Sequence, residues 1–344
     1  MNGAPELQAM VDEVGRASAL YRPSRLWEFM GGLNDQMLSE HGLQNLKRTV
    51  AQNYYNWLVV GTQDNQFRNM VRYWLSRPSL TPFLNSTEGL GFVRTIRAKL
   101  GLGWKEELLY KLFVGTLWEL ARDVDRTGLT HVLQEPLVGN PIRILRKGRR
   151  ISQDLSTSIR EYSTMLEARP DLDDAPKIVA ELGAGYGRLG YVLLQEPATR
   201  YFVFDLPPAL AASQWYLSEV FRDQPVFRFR HIDSFAEVEA ELSQSRIAFF
   251  TPNQLELFPD RYFDVFASIS TLPEMTAAQV RNYLQLMSRL TRQLVYLKQW
   301  KSWRNPADDY TLSESDMQLT HGFSRVLRRD DAVQDAFFEA VWIR

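Results

Sequence analysis

A chain of 344 residues exceeds what one ordinary core fills and suits about two domains. With 45% apolar and 24% charged residues it has a globular composition, and 40 Lys plus Arg against 41 Asp plus Glu leave a formal net charge of −1, so nothing pulls the whole chain toward nucleic acid or anionic lipid. Cysteine is absent, which excludes disulfides, thiolate zinc sites and cysteine nucleophiles and suits a reducing cytoplasm.

The first stretch, MNGAPELQAMVDEVGRASAL, has no basic start followed by an apolar run, and no uncharged apolar segment anywhere approaches the roughly 18 residues of a membrane span. A cytoplasmic protein with loosely ordered first residues is expected. Up to about residue 135 the apolar spacing is helical: in KEELLYKLFVGTLWELARDV, Leu109, Leu112, Phe113, Leu117, Leu120 and Val124 recur at three and four. Aromatic clusters, NYYNWL (Asn53–Leu58) and MVRYWL (Met70–Leu75), read as core packing more readily than as a lined cleft. At GNPIRILRKGRRIS the texture becomes β-rich around Lys147 and Gly148, which predicts a hairpin. A helix then starts near Ser152 or Asp154, either of which can cap it, with Leu155, Ile159, Tyr162 and Leu166 on one face.

After the polar loop ARPDLDDAP, short apolar runs alternate with helical patterns, the mark of a doubly wound parallel sheet. Strands are predicted at Ile178–Leu182, Tyr201–Asp205, Ile247–Phe250, Phe263–Ile269 and Leu294–Lys298, with helices at Leu189–Leu194, Ala209–Phe221 and Ala277–Leu290. Ser324–Leu327 and Phe337–Ile343 can close the chain as an antiparallel edge hairpin. The expected division is a helical domain over residues 1–135, a hairpin, helix and connecting loop over 136–175, and an α/β domain over 176–344.

The glycine-rich IVAELGAGYGRLG (Ile178–Gly190) carries the chemistry. Gly185, Gly187 and Gly190 match G-x-G-x-x-G after a strand, and Asp205 lies 20 residues past Gly185, which is the dinucleotide fingerprint of an NAD-linked oxidoreductase. Gly183, Gly185 and Gly187 also form G-x-G-x-G with Glu181 two residues ahead, the first motif of class I S-adenosylmethionine-dependent methyltransferases. Ligand charge separates the two. A pyrophosphate wants amides and a helix N-terminus and is opposed by a carboxylate at the strand's mouth. S-adenosylmethionine has no phosphate and carries a sulfonium and an α-amino group, so Glu181 favours it, while Asp205 can accept from ribose hydroxyls of either ligand. Glycines that only make a tight turn are the remaining reading.

Beyond that motif the chain resembles the bacterial sugar O-methyltransferase family of polysaccharide and natural-product gene clusters. The matching stretches are PSRLWEF, KRTVAQNYYNW, GNPIRI, ISQDLSTSIREY, ELGAGYGRLGYVLL, FDLPPALAASQWYLS, LKQWKSWRNP and FFEA. The resemblance implies a Rossmann-like class I methyltransferase sheet, mostly parallel with an antiparallel C-terminal edge hairpin, preceded by a mainly α-helical domain that serves as lid, acceptor site or homodimer interface. It implies S-adenosyl-L-methionine as cofactor and a glycan, nucleotide sugar or glycosylated natural product as acceptor, methylated at a sugar hydroxyl. The cofactor would be held by Glu181, Gly183, Gly185, Tyr186, Gly187, Asp205 and Leu206, with Gln153 of ISQDL near the methionine moiety. Asn253 and Gln254, after the third strand, are placed for the adenine edge or else are turn residues, and Ser268 and Ser270 can line the pocket through backbone atoms.

Methyl transfer needs an acceptor oxygen aligned with the S–CH3 bond and a base for its proton. Glu274, just past the fourth strand, is the first candidate, and Asp154 and His231 follow. Glu274 can instead help to cap the next helix, Asp154 can be an N-cap, and His231 in FRFRHIDSF can be a surface residue. In one departure from the family, SISTLPEM places Pro273 where the family tends to carry a histidine before Glu-Met, which motivates a further alternative, an inactive cofactor-binding scaffold. Trp300 and Trp303 can stack on a sugar ring, with Lys298 and Arg304 as substrate or phosphate contacts. His41, His131, His231 and His321 show no ligand spacing, so no metal site is expected from the sequence, while a divalent metal assembled from carboxylates distant in sequence, as some sugar methyltransferases use, stays an alternative.

Overall fold

The computed structural model describes residues 4–48, 63–77, 86–87, 103–172, 177–305, 307, 310–319 and 322–344; NYYNWL and His321 lie outside them. By contact the chain forms two units, one of Met1–Asp35, Ala168–Asp330 and Ala336–Arg344, the other of Gln36–Glu167 and Asp331–Asp335. This division differs from the one drawn by hydrophobic period, because the first 35 residues belong with the sheet. They begin with helix α1 (Ala4–Arg16), which buries Met10 and Val14 one turn apart, and with α2 (Arg25–His41). The start of the chain is therefore ordered from Ala4, where loose order was expected. A single turn of apolar residues anchors α1, too short a pattern to stand out in the sequence.

In the second unit α3 (Asn65–Ser76) is capped by Asp64, whose carboxylate accepts from the Gln66 amide at 2.8 Å. Strand β1 (Ser86–Thr87) precedes α4 (Trp104–Val124) and the short α5 (Leu129–Val132). The buried stripe of α4 runs through Tyr110, Phe113, Val114, Leu117, Trp118 and Ala121, while Val124 is exposed. It is rotated from the predicted stripe because this helix is apolar around much of its circumference, so packing rather than periodicity chooses the face. The predicted hairpin is present: β2 (Ile144–Arg146) and β3 (Arg149–Ile151) pair antiparallel through Lys147 and Gly148, whose φ values of 48° and 79° make a two-residue turn, and β1 adds to β2. Helix α6 (Gln153–Ala168) is capped by Ser152, whose Oγ accepts from the Leu155 amide at 3.0 Å, and buries the predicted Leu155, Ile159, Tyr162 and Leu166.

The first unit continues with β4 (Lys177–Leu182), α7 (Arg188–Leu193), β5 (Thr199–Phe204), α8 (Ala209–Val220), β6 (Val226–Phe227), α9 (Glu239–Gln244), β7 (Ile247–Phe250), β8 (Phe263–Ile269) and α10 (Ala277–Leu290). It closes with β9 (Thr291–Trp300), a separate hairpin of β10 (Ser302–Asn305) and β11 (Tyr310–Ser313), β12 (Ser324–Asp330) and β13 (Phe337–Ile343). The eight-stranded sheet has the order β12-β13-β9-β8-β4-β5-β7-β6, parallel from β6 to β9 and antiparallel at β13 and β12. Every predicted strand and helix of this half is found, because each inner strand is buried on both faces and reads as a continuous apolar run. The short β6 and the β10–β11 hairpin carry too little periodicity to be foreseen. One face of the sheet holds a chain of rings, Phe204 on Phe250 at 5.3 Å, Phe250 on Phe258 at 5.1 Å and Phe258 on Phe263 at 5.2 Å. Strand order reverses at β4, whose neighbours are β5 and β8, so the loops leaving these three strands flank the switch point at which open α/β sheets bind ligands.

Candidate functional site

The turn after β4 is built from glycines with different reasons to be glycine. Gly183 has φ 75° and donates to the Phe204 carbonyl at 2.9 Å; a Cβ there would stand 2.1 Å from Thr271 Oγ1. At Gly187, φ 89°, a Cβ would meet Leu217 at 2.9 Å, and at Gly190 it would meet the Tyr201 ring at 2.5 Å. Gly185, φ 59°, has nothing within 4 Å of where its Cβ would be. Three glycines thus serve the packing of the turn, and Gly185 alone presents bare backbone to open space, where a ligand can approach.

Two buried carboxylates flank it. Glu181, 3% exposed near the end of β4, accepts from the Tyr201 hydroxyl. Asp205, 6% exposed and just past β5, accepts from the Gly185 amide at 2.9 Å through Oδ2 and from the Leu206 amide at 2.7 Å through Oδ1. The acid therefore clamps the turn, and with three amides on its four lone-pair sites it keeps one for a further donor. Burial pushes its carboxyl up to about 7, against the opposing amides of Leu206, Gly185 and Ala184. Between its ordinary value of 3.8 and about 7 the folded chain holds a proton that the unfolded chain has lost, so this group makes stability fall as pH rises across that window. A ligand that donates a hydroxyl to Asp205 needs the ionised form, so its affinity is expected to rise with pH through 7, about tenfold between pH 6 and pH 8. Calorimetry at the two pH values checks this, with Asp205→Asn expected to lose the slope.

After β7, Gln254 closes the start of a short 3-10 helix (Pro252–Leu257): its Oε1 accepts from the Thr251 amide at 3.0 Å and its Nε2 donates to the Arg230 carbonyl at 2.9 Å. Gln254 is thus committed to structure. Asn253 donates from Nδ2 to Glu13 at 2.8 Å, while its Oδ1 is buried with no hydrogen-bond partner, an acceptor left for a ligand's N–H. Burial raises the Glu13 carboxyl, but hydrogen bonds from Asn253 and His231 outweigh it and hold it below the ordinary value. After β8, Ser268 is fully buried and its Oγ accepts from Gln299 Nε2 at 3.2 Å, whereas Ser270 sits at φ 56°, a left-handed backbone held in place by its amide's bond to the Lys298 carbonyl at 2.8 Å. Glu274 ends a 3-10 turn (Leu272–Glu274) and is half-buried. It does not cap α10, because Thr276 accepts from the Gln279 amide at 3.4 Å and Gln279 accepts in return from the Thr276 amide at 2.9 Å.

Other candidates stand elsewhere. His231 is 54% exposed at the edge of the sheet beyond β6, its Nδ1 2.6 Å from Glu13 and its Nε2 3.1 Å from Asp233; hydrogen bonding to Glu13 raises its pKa. Gln153 and Asp154 lie in the first turn of α6 in the second unit, where Ser152 rather than Asp154 is the cap. Tyr186 is buried edge-on against Tyr216 at 5.0 Å. Lys298 is 1% exposed within the sheet, in register with Ile269 and Glu339, while Arg304 is exposed on β10. Trp300 packs against Trp303 at 4.8 Å and against Phe337 at 4.6 Å. No group of three or more His, Asp or Glu positioned for a metal occurs among the described residues, and none of the described helices is long and apolar enough to cross a membrane.

Sequence reasoning missed Thr271, Tyr201 and Glu13. Thr271 Oγ1 donates toward the Ile269 carbonyl at 3.0 Å and walls Gly183, Tyr201 holds Glu181, and Glu13 orients Asn253. None has a local signature, since each works through a partner between 20 and 240 residues away.

A parallel sheet reversing at β4, an antiparallel hairpin at its far edge and an acid-bounded glycine turn at the switch point define the Rossmann-like class I methyltransferase fold. No family model matches the chain, and no curated protein matches it. Among solved structures it is similar to magnesium protoporphyrin IX methyltransferase of Synechocystis with bound S-adenosylmethionine, at 14% identity over 66% of this chain and 97% of that one, TM-score 0.37. It is also similar to 1,6-didemethyltoxoflavin-N1-methyltransferase of Burkholderia thailandensis with bound 1,6-didemethyltoxoflavin and S-adenosylhomocysteine, at 16% identity over 56% and 78%, TM-score 0.37.

Proposed function

We propose that the protein is an S-adenosylmethionine-dependent O-methyltransferase acting on a sugar hydroxyl. The observation that carries the reading is Gly185, bare to open space between Glu181 and Asp205, with the unpartnered Asn253 Oδ1 just past β7. Such a cradle suits a cofactor that is cationic at one end and offers hydroxyls and an amino group at the other, and the carboxylates disfavour a pyrophosphate there. Asp205 would accept from the ribose, Asn253 Oδ1 from the adenine amino group, and Glu181 would favour the cationic methionine end. The cofactor when bound supplies an electrophilic methyl carbon. Glu274 would take the proton of the acceptor hydroxyl as the O–C bond forms and the S–C bond breaks. The sugar reading is supported by ISQDL and LKQWK and by the Trp300–Trp303 pair. Calorimetric titration with S-adenosylmethionine, S-adenosylhomocysteine and NAD tests the cofactor, and transfer of labelled methyl to a panel of glycosides and nucleotide sugars, with Glu274→Gln expected to lower kcat at unchanged cofactor affinity, tests the rest. Binding of NAD alone would overturn the reading.

A further inference from the structure

The second unit carries a cavity that methyl transfer does not use. Its volume is about 250 Å3, and its wall includes Glu119 and Arg122 of α4 with Arg146, Lys147 and Arg149 of the β2–β3 hairpin. The hairpin assembles the charge. Because the strands reverse in two residues, Arg146 and Arg149 stand directly opposite one another with Lys147 between them in the turn. Cross-strand neighbours lie about 5 Å apart at Cβ, so three cationic side chains are gathered at one end of a short ribbon.

These charges do not balance. Four basic side chains face a single carboxylate, Glu119, which is 2% exposed and already shared, with Arg146 donating to Oε1 and Arg122 2.5 Å from Oε2. Lys147 and Arg149 have no carboxylate partner among the described residues, and Arg149 Nη1 is buried with no hydrogen-bond partner. A charged donor withdrawn from water with no acceptor is unfavourable, and gathered cations repel; an anion seated among them relieves both. Guanidinium groups match the tetrahedral oxygens of phosphate in bidentate fashion. The volume lies below the roughly 300–1,000 Å3 that encloses a whole drug-sized ligand, which fits the anionic head of a ligand whose remainder lies outside.

We propose that this cavity is a binding site for a phosphate or diphosphate group, held by Arg149 and Lys147 against the Arg146–Glu119–Arg122 cluster. The site stands independently of the methyltransferase reading. It is tested by calorimetric titration of the full chain with inorganic pyrophosphate and inorganic phosphate, in the wild type, Lys147→Gln, Arg149→Gln and the double variant. Neither residue neutralises a buried carboxylate, so the variants are expected to fold with unchanged Tm and unchanged S-adenosylhomocysteine affinity. Pyrophosphate is expected to bind more tightly than phosphate, with affinity that weakens in added salt, falls about tenfold in each single variant and is lost in the double variant. A nucleoside diphosphate binding more tightly than pyrophosphate would identify a nucleotide as the source of the group, and equal binding would identify the diphosphate alone. Absence of binding of either anion at about 10 mM, or binding that the double variant retains, overturns the proposal.

Discussion

Asp205→Ala is expected to weaken S-adenosylhomocysteine binding at pH 8 by about 100-fold, the loss of a hydrogen bond to an ionised acceptor together with the loosening of the turn it clamps. The carboxylate acts in two ways, since it clamps the amides of Gly185, Leu206 and Ala184 and also offers its remaining lone pair toward the space that Gly185 leaves open. Its removal deprives the ligand of an acceptor and loosens the turn at once. Stability should change little, because a buried charge held near about 7 disappears together with the amide bonds it made, and the freed amides sit beside the open cleft where water reaches them. Asp205→Asn keeps one acceptor and separates the two effects: intermediate affinity, independent of pH between 6 and 8. Binding by Asp205→Ala within a few fold of the wild type would remove Asp205 from the site.

Gly183→Ala is expected to be the most damaging glycine-to-alanine change among the described residues, about 3 kcal/mol, combining a left-handed backbone with overpacking. The new Cβ would stand 2.1 Å from Thr271 Oγ1 and 2.4 Å from its Cγ2, and Thr271 cannot swing away without giving up its bond to the Ile269 carbonyl at 3.0 Å. Adding Thr271→Gly should recover the steric part and leave the backbone part, which a double-mutant cycle on urea midpoints measures. Gly185→Ala is the contrast. With φ 59° and nothing within 4 Å, it bears only the backbone strain, about 1–2 kcal/mol, yet it places a methyl where the ligand approaches, so S-adenosylhomocysteine affinity should fall while the chain stays folded. If the two substitutions had equal effects on stability, the division of labour within the turn would be wrong.

These expectations rest on a sheet whose main strands and helices could be read in advance. Inner strands such as β4, β5, β7 and β8 are buried on both faces, so their apolar runs are uninterrupted, and an acid–glycine pattern at the end of one of them places the switch point. The candidate cleft was legible to the same extent, because Glu181, Gly185 and Asp205 lie within 25 residues on elements whose geometry is standard. Functions within the motif were not legible. That Gly183 is glycine for Thr271, Gly190 for Tyr201 and Gly185 for open space depends on what stands opposite each, and Thr271 lies in the loop after β8 and Tyr201 on β5.

By itself, then, the order of residues determined the doubly wound sheet, its antiparallel edge and the acid-bounded turn, since burial on both faces, alternation and glycine conformation act over a few neighbouring residues. Tertiary structure alone decided that α1 joins the sheet unit and lends Glu13 to Asn253, that Gln254 donates to the Arg230 carbonyl, that Lys298 is buried, and that a hairpin and a helix gather four cations around one acid. The reason is range. Desolvation, charge pairing and close approach are set by groups brought together from distant parts of the chain, and no local pattern records which groups those will be.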